Sequence, residues 1–383
     1  MEFRDLKTQY MHNKDTIDSA IYNVIMKGQF IGGEVVERLE ERLARYVGVK
    51  HCITCANGTD ALLLALMSWN IGEGDAVFVP DFTFFSTAEV VPWVKATPIF
   101  VDVELDTFNI SVSSLEDAIL RVVKEGKLVP KVIVAVDLFG QPAQFEQIRK
   151  IAQKYNMLLL EDGAQGFGGS IGERKACSFG DIATTSFFPA KPLGCYGDGG
   201  AIFTNNDEWA ALIRSYKVHG KGENKYDNVR IGMNSRLDTL QAAILIEKHA
   251  IFEKYELKQV NQVADWYNVG LKNVNLRRPF VLNGYESSWA QYTICLASKE
   301  VRDGLQKVLG EHNIPSMVYY SKPLHKQKAF KDCNVQDRSK NGQYKNTDEL
   351  CVKVLSLPIH PYMEEREVQS VVKVITDYLH QWI

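Results

Sequence analysis

From about residue 50 to residue 204, short apolar runs alternate with amphipathic stretches. The runs at 51–54, 76–80, 98–101, 131–136, 157–161, 182–186 and 201–204 predict strands. Several are β-branched and lack polar alternation, the pattern of strands covered by helices on both faces. They therefore predict one mostly parallel, seven-stranded α/β sheet. Between them, apolar positions at helical spacing predict helices over 59–69, 86–95, 112–124, 145–155 and 207–216, and two more, 16–27 and 34–47, precede the first strand. After Arg236 the rhythm changes. Residues 237–271 read as one long helical region, followed by a strand (291–296), a helix (299–310), a strand (316–320) and a terminal helix (365–382). The change predicts a large domain over 1–247 and a smaller α+β domain over 248–383.

Composition narrows the function classes. With 45% hydrophobic and 24% charged residues in 383, the chain is an ordinary globular one. Its 44 basic against 47 acidic residues leave a net charge of −3, which gives no general attraction to nucleic acid or an anionic membrane. Any phosphate must be bound locally. The start of the chain lacks the basic-then-apolar order of a signal peptide, and no run approaches a membrane span, so the expected location is the cytoplasm. Seven cysteines in such a chain predict free thiols. Cys52 and Cys55 form a C-x-x-C beside His51, but a structural zinc site needs a second ligand pair, and none appears. No metal is expected.

Candidate chemistry lies at predicted strand ends, where ligands sit in open parallel sheets. The strand ending at Glu161 runs into Asp162-Gly163-Ala164-Gln165, an acid and an amide in suitable positions. Ser186 closes the next strand. Lys191 follows between Pro189 and Pro192, without a charged neighbour until Asp198 and ahead of a glycine-rich stretch. Such surroundings suit an amine that is partly desolvated and therefore nucleophilic. Asn57-Gly58-Thr59 forms a glycine turn into a helix, whose first amides and dipole make a phosphate seat. A P-loop is excluded because the Lys-[Ser/Thr] after the second glycine is missing. Phe82, Phe84 and Phe85 follow another strand end, where one ring has the chance to cover a planar cofactor.

These segments, in this order, resemble the DegT/StrS family of pyridoxal-phosphate-dependent sugar aminotransferases. The likeness also includes the opening Phe3-Arg4-Asp5-Leu6-Lys7-Thr8-Gln9-Tyr10 and Arg230-Ile231-Gly232-Met233-Asn234-Ser235-Arg236. The resemblance implies the aspartate-aminotransferase fold (fold type I), a homodimer with shared sites, and pyridoxal 5'-phosphate as cofactor. By it, Lys191 carries the cofactor and moves protons, Asp162 pairs with the pyridine nitrogen, and Gln165 lies near the ring oxygen. Gly58, Thr59 and Ser186 match phosphate donors, Phe84 the stacking ring, and Asn234 a residue reaching the phosphate from the other subunit.

The implied reaction transfers an amino group from glutamate to a ketone on a nucleotide-linked sugar. The closest likeness is to enzymes aminating C3 of a UDP-linked 2-acetamido-3-keto uronic acid, in surface-polysaccharide synthesis. Amination at C3 or C4 of a 6-deoxy keto sugar is the rival, and a non-catalytic regulatory or scaffold protein the alternative of another class. Arg236, Tyr319, Tyr320 and His325 are the expected substrate contacts, with Arg236 toward a sugar carboxylate. Two departures from the family pattern stand out: Gly163 replaces an alanine, and Tyr319-Tyr320-Ser321 stands where many relatives have His-Tyr-Pro.

Overall fold

The computed structural model describes residues 1–224, 226–331 and 344–382. Seven strands form the central sheet: β1 (His51–Cys55), β2 (Asp75–Pro80), β3 (Thr97–Val101), β4 (Val129–Val136), β5 (Leu158–Asp162), β6 (Ile182–Ser186) and β7 (Gly200–Thr204). Their order is β1-β7-β6-β5-β4-β2-β3. The run from β6 to β3 is parallel, while β7 pairs antiparallel with both β6 and β1. The central residues of β4 and β5 are buried, as strands covered on both faces must be.

Helices α1 (Leu6–His12), α2 (Lys14–Lys27) and α3 (Glu34–Val47) precede the sheet. Alternating with its strands are α4 (Gly58–Ser68), α5 (Ser86–Trp93), α6 (Val112–Glu125), α7 (Phe145–Lys154) and α8 (Asp207–Tyr216). In α3 the buried positions Val36, Leu39, Leu43 and Val47 form a stripe at helical spacing. Glu40 shares that stripe because its carboxylate is satisfied by the Thr54 amide at 2.8 Å and by Arg214 at 2.8 Å.

The predicted long helix is α9 (Thr239–Ile251), a π-helical turn (Phe252–Glu256) and α10 (Leu257–Gly270) in direct succession. It leads from the sheet to a second apolar core that includes Tyr267, Tyr292, Leu305, Leu357 and Ile375. There, β8 (Tyr292–Cys295) and β9 (Val354–Leu357) pair antiparallel beneath α11 (Lys299–Glu311), α12 (Lys345–Lys353) and α13 (Glu365–Leu379). The expected strand 316–320 is corrected: only Met317 bridges to Ser356, and the chain then turns away to line a cavity. α1, α12 and β9 went unread in the sequence.

The six described cysteines are free and buried, and Cys333 lies outside the described residues. His51 turns from Cys52 and Cys55 to Asp207, 2.6 Å away. Among the described residues, no helix is long and apolar enough to cross a membrane.

Candidate active site

The strand register gathers several chain segments at one edge of the sheet. β5 and β6 run side by side, with Asp162 opposite Thr184. Gly200, which opens β7, pairs with Ser186 on one side and Cys55 on the other. The end of β1 is thereby carried to the end of β6, and the turn into α4 lands beside Ser186. A Cβ on Gly58 would stand 2.8 Å from the Ser186 Cβ, and one on Gly200 would stand 2.5 Å from the Asn57 carbonyl. Only glycine at both positions lets the turn close onto the strands. Asn57 caps α4 by accepting the Asp60 amide at 2.8 Å. The first amides of a helix have no acceptor within it, so this end of α4 is a seat for a phosphate.

Because β7 reverses direction, the connection 187–199 stays at the same edge, and it carries Lys191. A cavity of about 930 Å³ opens there. It is lined by Gly58, Thr59, Phe84, Asp162, Gln165, Ser186, Lys191, Tyr319 and Tyr320. Residues separated by up to 262 positions in the chain thus converge as their strand-end placement requires.

Successive side chains of a strand face opposite ways, which separates the two acids closing β5. Glu161 points into the protein and accepts the amides of Phe179 at 2.6 Å and Gly180 at 2.9 Å, with a further short bond from the Cys177 amide. Asp162 points to the cavity. Its Oδ2 accepts the Thr87 hydroxyl at 2.8 Å, and its Oδ1 accepts the Ala164 amide at 3.3 Å. Burial raises the Asp162 pKa, while the Thr87 bond, the Ala164 amide and the charge of Lys191 pull it down. Lys191 is shifted the other way: burial lowers its pKa, opposed by Asp162 and assisted by Arg4. No cation stands at ion-pair distance from Asp162 among the described residues. A buried carboxylate without a cation is costly, so this site fits a ligand that brings a protonated ring nitrogen. The glycine-closed seat at Gly58 and Ser186 fits the phosphate of the same ligand.

Of the three phenyl rings after β2, Phe82 is buried in the core and Phe85 packs on Phe330 at 5.1 Å between centroids. Phe84 is 53% exposed and faces the cavity, so it is the ring free to stack. Gln165 is fixed at both ends, accepting the Phe139 amide at 2.7 Å and donating to the Tyr320 hydroxyl at 3.1 Å. Burial pushes the Tyr320 phenol well up, which keeps it neutral.

Three predicted contacts do not line this cavity. His325, expected at the substrate, is here the partner of a buried acid and does not line the cavity. Asp81, fully buried at the end of β2, takes the His325 amide at 2.8 Å and its Nδ1 at 2.5 Å, and the imidazole stacks on Tyr344 at 4.6 Å. A carboxylate buried that deeply must be satisfied, and it claims the ring. Asn234 is exposed on a backbone bridge to Val218, and Arg236 is half-buried; neither reaches the cavity of its own chain. Thr87 was missed: a threonine early in a helix is unremarkable until the fold sets it 2.8 Å from an acid 75 positions away. The Gly163 departure also has a cause. A Cβ there would meet the Cys177 Sγ at 2.6 Å, away from the cavity.

A parallel sheet with one reversed strand, and an amine and an acid facing a phosphate seat at its carboxyl edge, define a pyridoxal-phosphate-dependent transferase. The chain belongs to the DegT/DnrJ/EryC1/StrS aminotransferase family, which it matches over residues 12–376. It is 42% identical over 377 residues to the UDP-2-acetamido-2-deoxy-3-oxo-D-glucuronate aminotransferase of Pseudomonas aeruginosa, covering 98% of this chain and 100% of that protein. A DegT DnrJ EryC1 StrS aminotransferase from Brucella abortus superposes with a TM-score of 0.94 at 47% identity, covering 99% of both chains. The Bacillus subtilis protein NtdA, solved with bound cofactor PMP, superposes with a TM-score of 0.85 at 28% identity, covering 96% of this chain and 82% of its own. The protein is a pyridoxal-phosphate-dependent aminotransferase.

Proposed function

We propose that this chain transfers the amino group of glutamate to the C3 ketone of a UDP-linked 2-acetamido-2-deoxy-3-keto uronic acid, giving 2-oxoglutarate and the 3-amino sugar. The observation that carries the reading is the convergence of Lys191, Asp162, the Gly58–Ser186 seat and the Tyr319–Tyr320 wall on one cavity. The sugar comes from the 42% identity, over whole chains, to an enzyme named for that substrate.

Pyridoxal phosphate supplies an electron sink for the charge left when a proton departs from the amino-bearing carbon. The rest falls to residues of this chain. Gly58, Thr59 and Ser186 bind the phosphate, and Phe84 covers one ring face. Asp162, held by Thr87, would keep the ring nitrogen protonated, and Gln165 would serve the ring oxygen. Lys191 anchors the cofactor; its amine, lowered by burial, then takes a proton from the donor carbon and returns one on the acceptor side. Tyr319 and Tyr320 form the wall that receives the sugar.

The same reading makes the protein a cytoplasmic homodimer with a large domain over 1–247 and a small one over 248–383. Asn234 and Arg236, outside the cavity of their own chain, then serve the site of the partner subunit, Asn234 at the phosphate and Arg236 at the sugar carboxylate. The test mixes purified protein with glutamate alone, then with UDP- and dTDP-linked keto sugars. Release of 2-oxoglutarate without sugar, followed by amination of the UDP-uronate in preference to 6-deoxy sugars, is expected. Lys191→Ala is expected to lose both the near-visible band of the bound cofactor and the glutamate step. An unchanged band and rate in that variant would end the assignment.

A further inference from the structure

We propose that Arg4 is a positioning residue for Lys191, which it holds by the backbone from a folded N-terminal arm; this rests on the role of Lys191 given above. The Arg4 Nη2 donates to the Lys191 carbonyl at 3.1 Å, across 187 positions. That carbonyl lies in the irregular connection 187–199, so no strand ladder or helix turn secures it.

The arm itself is anchored on both sides of this bond. Asp5 caps α1 by accepting the Thr8 amide at 2.8 Å. Gln9 donates at 2.7 Å to Glu256, a buried acid of the π-helical turn that also receives the Tyr362 hydroxyl at 2.7 Å. Phe3 meets the Tyr319 ring edge-on, with centroids 6.3 Å apart. One short stretch of chain therefore touches the reactive lysine, the wall expected to receive the sugar, and the joint between the sheet and the second core. The second fork of the guanidinium, Nη1, is buried with no hydrogen-bond partner among the described residues. The charge is placed where it is useful to Lys191 at a cost to Arg4 itself.

Lys191 is faced by the carboxylate of Asp162 from β5 and by the guanidinium from the arm. Glu256, Lys248, His360 and Asp5 surround the guanidinium's side of this network. Removing the Arg4 charge leaves burial alone to oppose Asp162, so the lysine nitrogen holds its proton to higher pH. Loosening the carbonyl lets the amine drift, and about 1 Å of drift at a reacting group is enough to cost on the order of a hundredfold in rate.

Arg4→Gln and Arg4→Lys are compared with the unaltered holoenzyme and with Lys191→Ala. The readouts are a pH titration of the cofactor's near-visible band, the rapid-mixing rate of the glutamate step, the KM for the keto sugar and the thermal midpoint. Arg4→Gln is expected to shift the titration midpoint upward and to slow the glutamate step about tenfold or more. Arg4→Lys, which keeps the charge, is expected to restore the midpoint and only part of the rate. An Arg4→Gln protein within twofold of the unaltered one in rate, with an unmoved midpoint, overturns the proposal. So does an Arg4→Lys protein with both properties of Arg4→Gln. If Arg4→Gln does not fold, Arg4→Lys decides alone: a slower step at an unmoved midpoint supports the role, and an unchanged rate overturns it. Lys191→Ala separates the two levels, since a band and rate that survive its loss defeat the functional reading itself, whatever Arg4 does.

Discussion

At position 163, where the family resemblance leads one to expect alanine, the space for a methyl group is taken by the Cys177 sulfur 2.6 Å away and the Thr184 carbonyl 3.1 Å away. Glycine and cysteine thus form a matched pair behind Asp162. Gly163→Ala should cost about 1–3 kcal/mol by overpacking, and adding Cys177→Ala should recover most of it. Urea unfolding of both variants checks this, and equal losses in the single and double variants would separate the two sites. Much of the site was legible at this scale. Lys191 showed itself by its proline and glycine surroundings, and Asp162 by its place after an apolar strand. Thr87, Arg4 and the burial of His325 were not legible, because each is defined by a partner 75, 187 or 244 positions away. A histidine bound by a buried acid reads the same in sequence as one facing a ligand.

The strands of the central sheet were readable because their β-branched runs have no other way to bury both faces, and each lies within two residues of its expected bounds. Residues 316–320 misled for the opposite reason: Val318 and Tyr319 are apolar because they face a second core and a cavity, while Met317 is exposed and makes the one bridge to Ser356. What holds that segment is the Asp81 end of β2. Asp81 accepts the side chain and amide of His325, and its carbonyl accepts the Leu324 amide at 3.1 Å. The wall carrying Tyr319 and Tyr320 is thereby tied to the strand that leads to Phe84. Asp81→Ala should destabilise the protein by about 2–4 kcal/mol, because it strands buried donors. It should also raise the KM for the sugar more than that for glutamate. Equal effects on both substrates would show the tie to be purely a matter of folding.

Across the whole molecule, two buried histidines contribute to the response to acid. Arg42 Nε donates to His249 Nδ1 at 3.0 Å, which leaves that nitrogen an acceptor and the ring neutral, 3.6 Å from a Glu253 with which it forms no charged pair. Burial, and then the charge of Arg42, bring its pKa down to about 4. His360 also falls to about 4 through burial, with Asp5 opposing. A depressed folded-state value means that the unfolded chain takes up protons first. Each ring's contribution is therefore intact above about pH 6.5 and is lost as the pH falls toward 4, on the order of 3 kcal/mol apiece at the limit. Denaturant midpoints measured from pH 7.5 to 4.5 should fall across that window, and His249→Gln should flatten the fall. An unchanged slope in that variant would place the acid sensitivity elsewhere.

The carboxylate at position 162, enclosed with Lys191 nearby but no cation at ion-pair distance among the described residues, should tie the protein's lifetime to vitamin B6 supply. A ligand that binds only the folded chain stabilises it in proportion to how far it saturates the site. When that ligand also neutralises a buried charge, scarcity leaves a chain that opens more often and meets proteases sooner. Cells starved of the vitamin should accordingly hold less of this enzyme as well as a less active one.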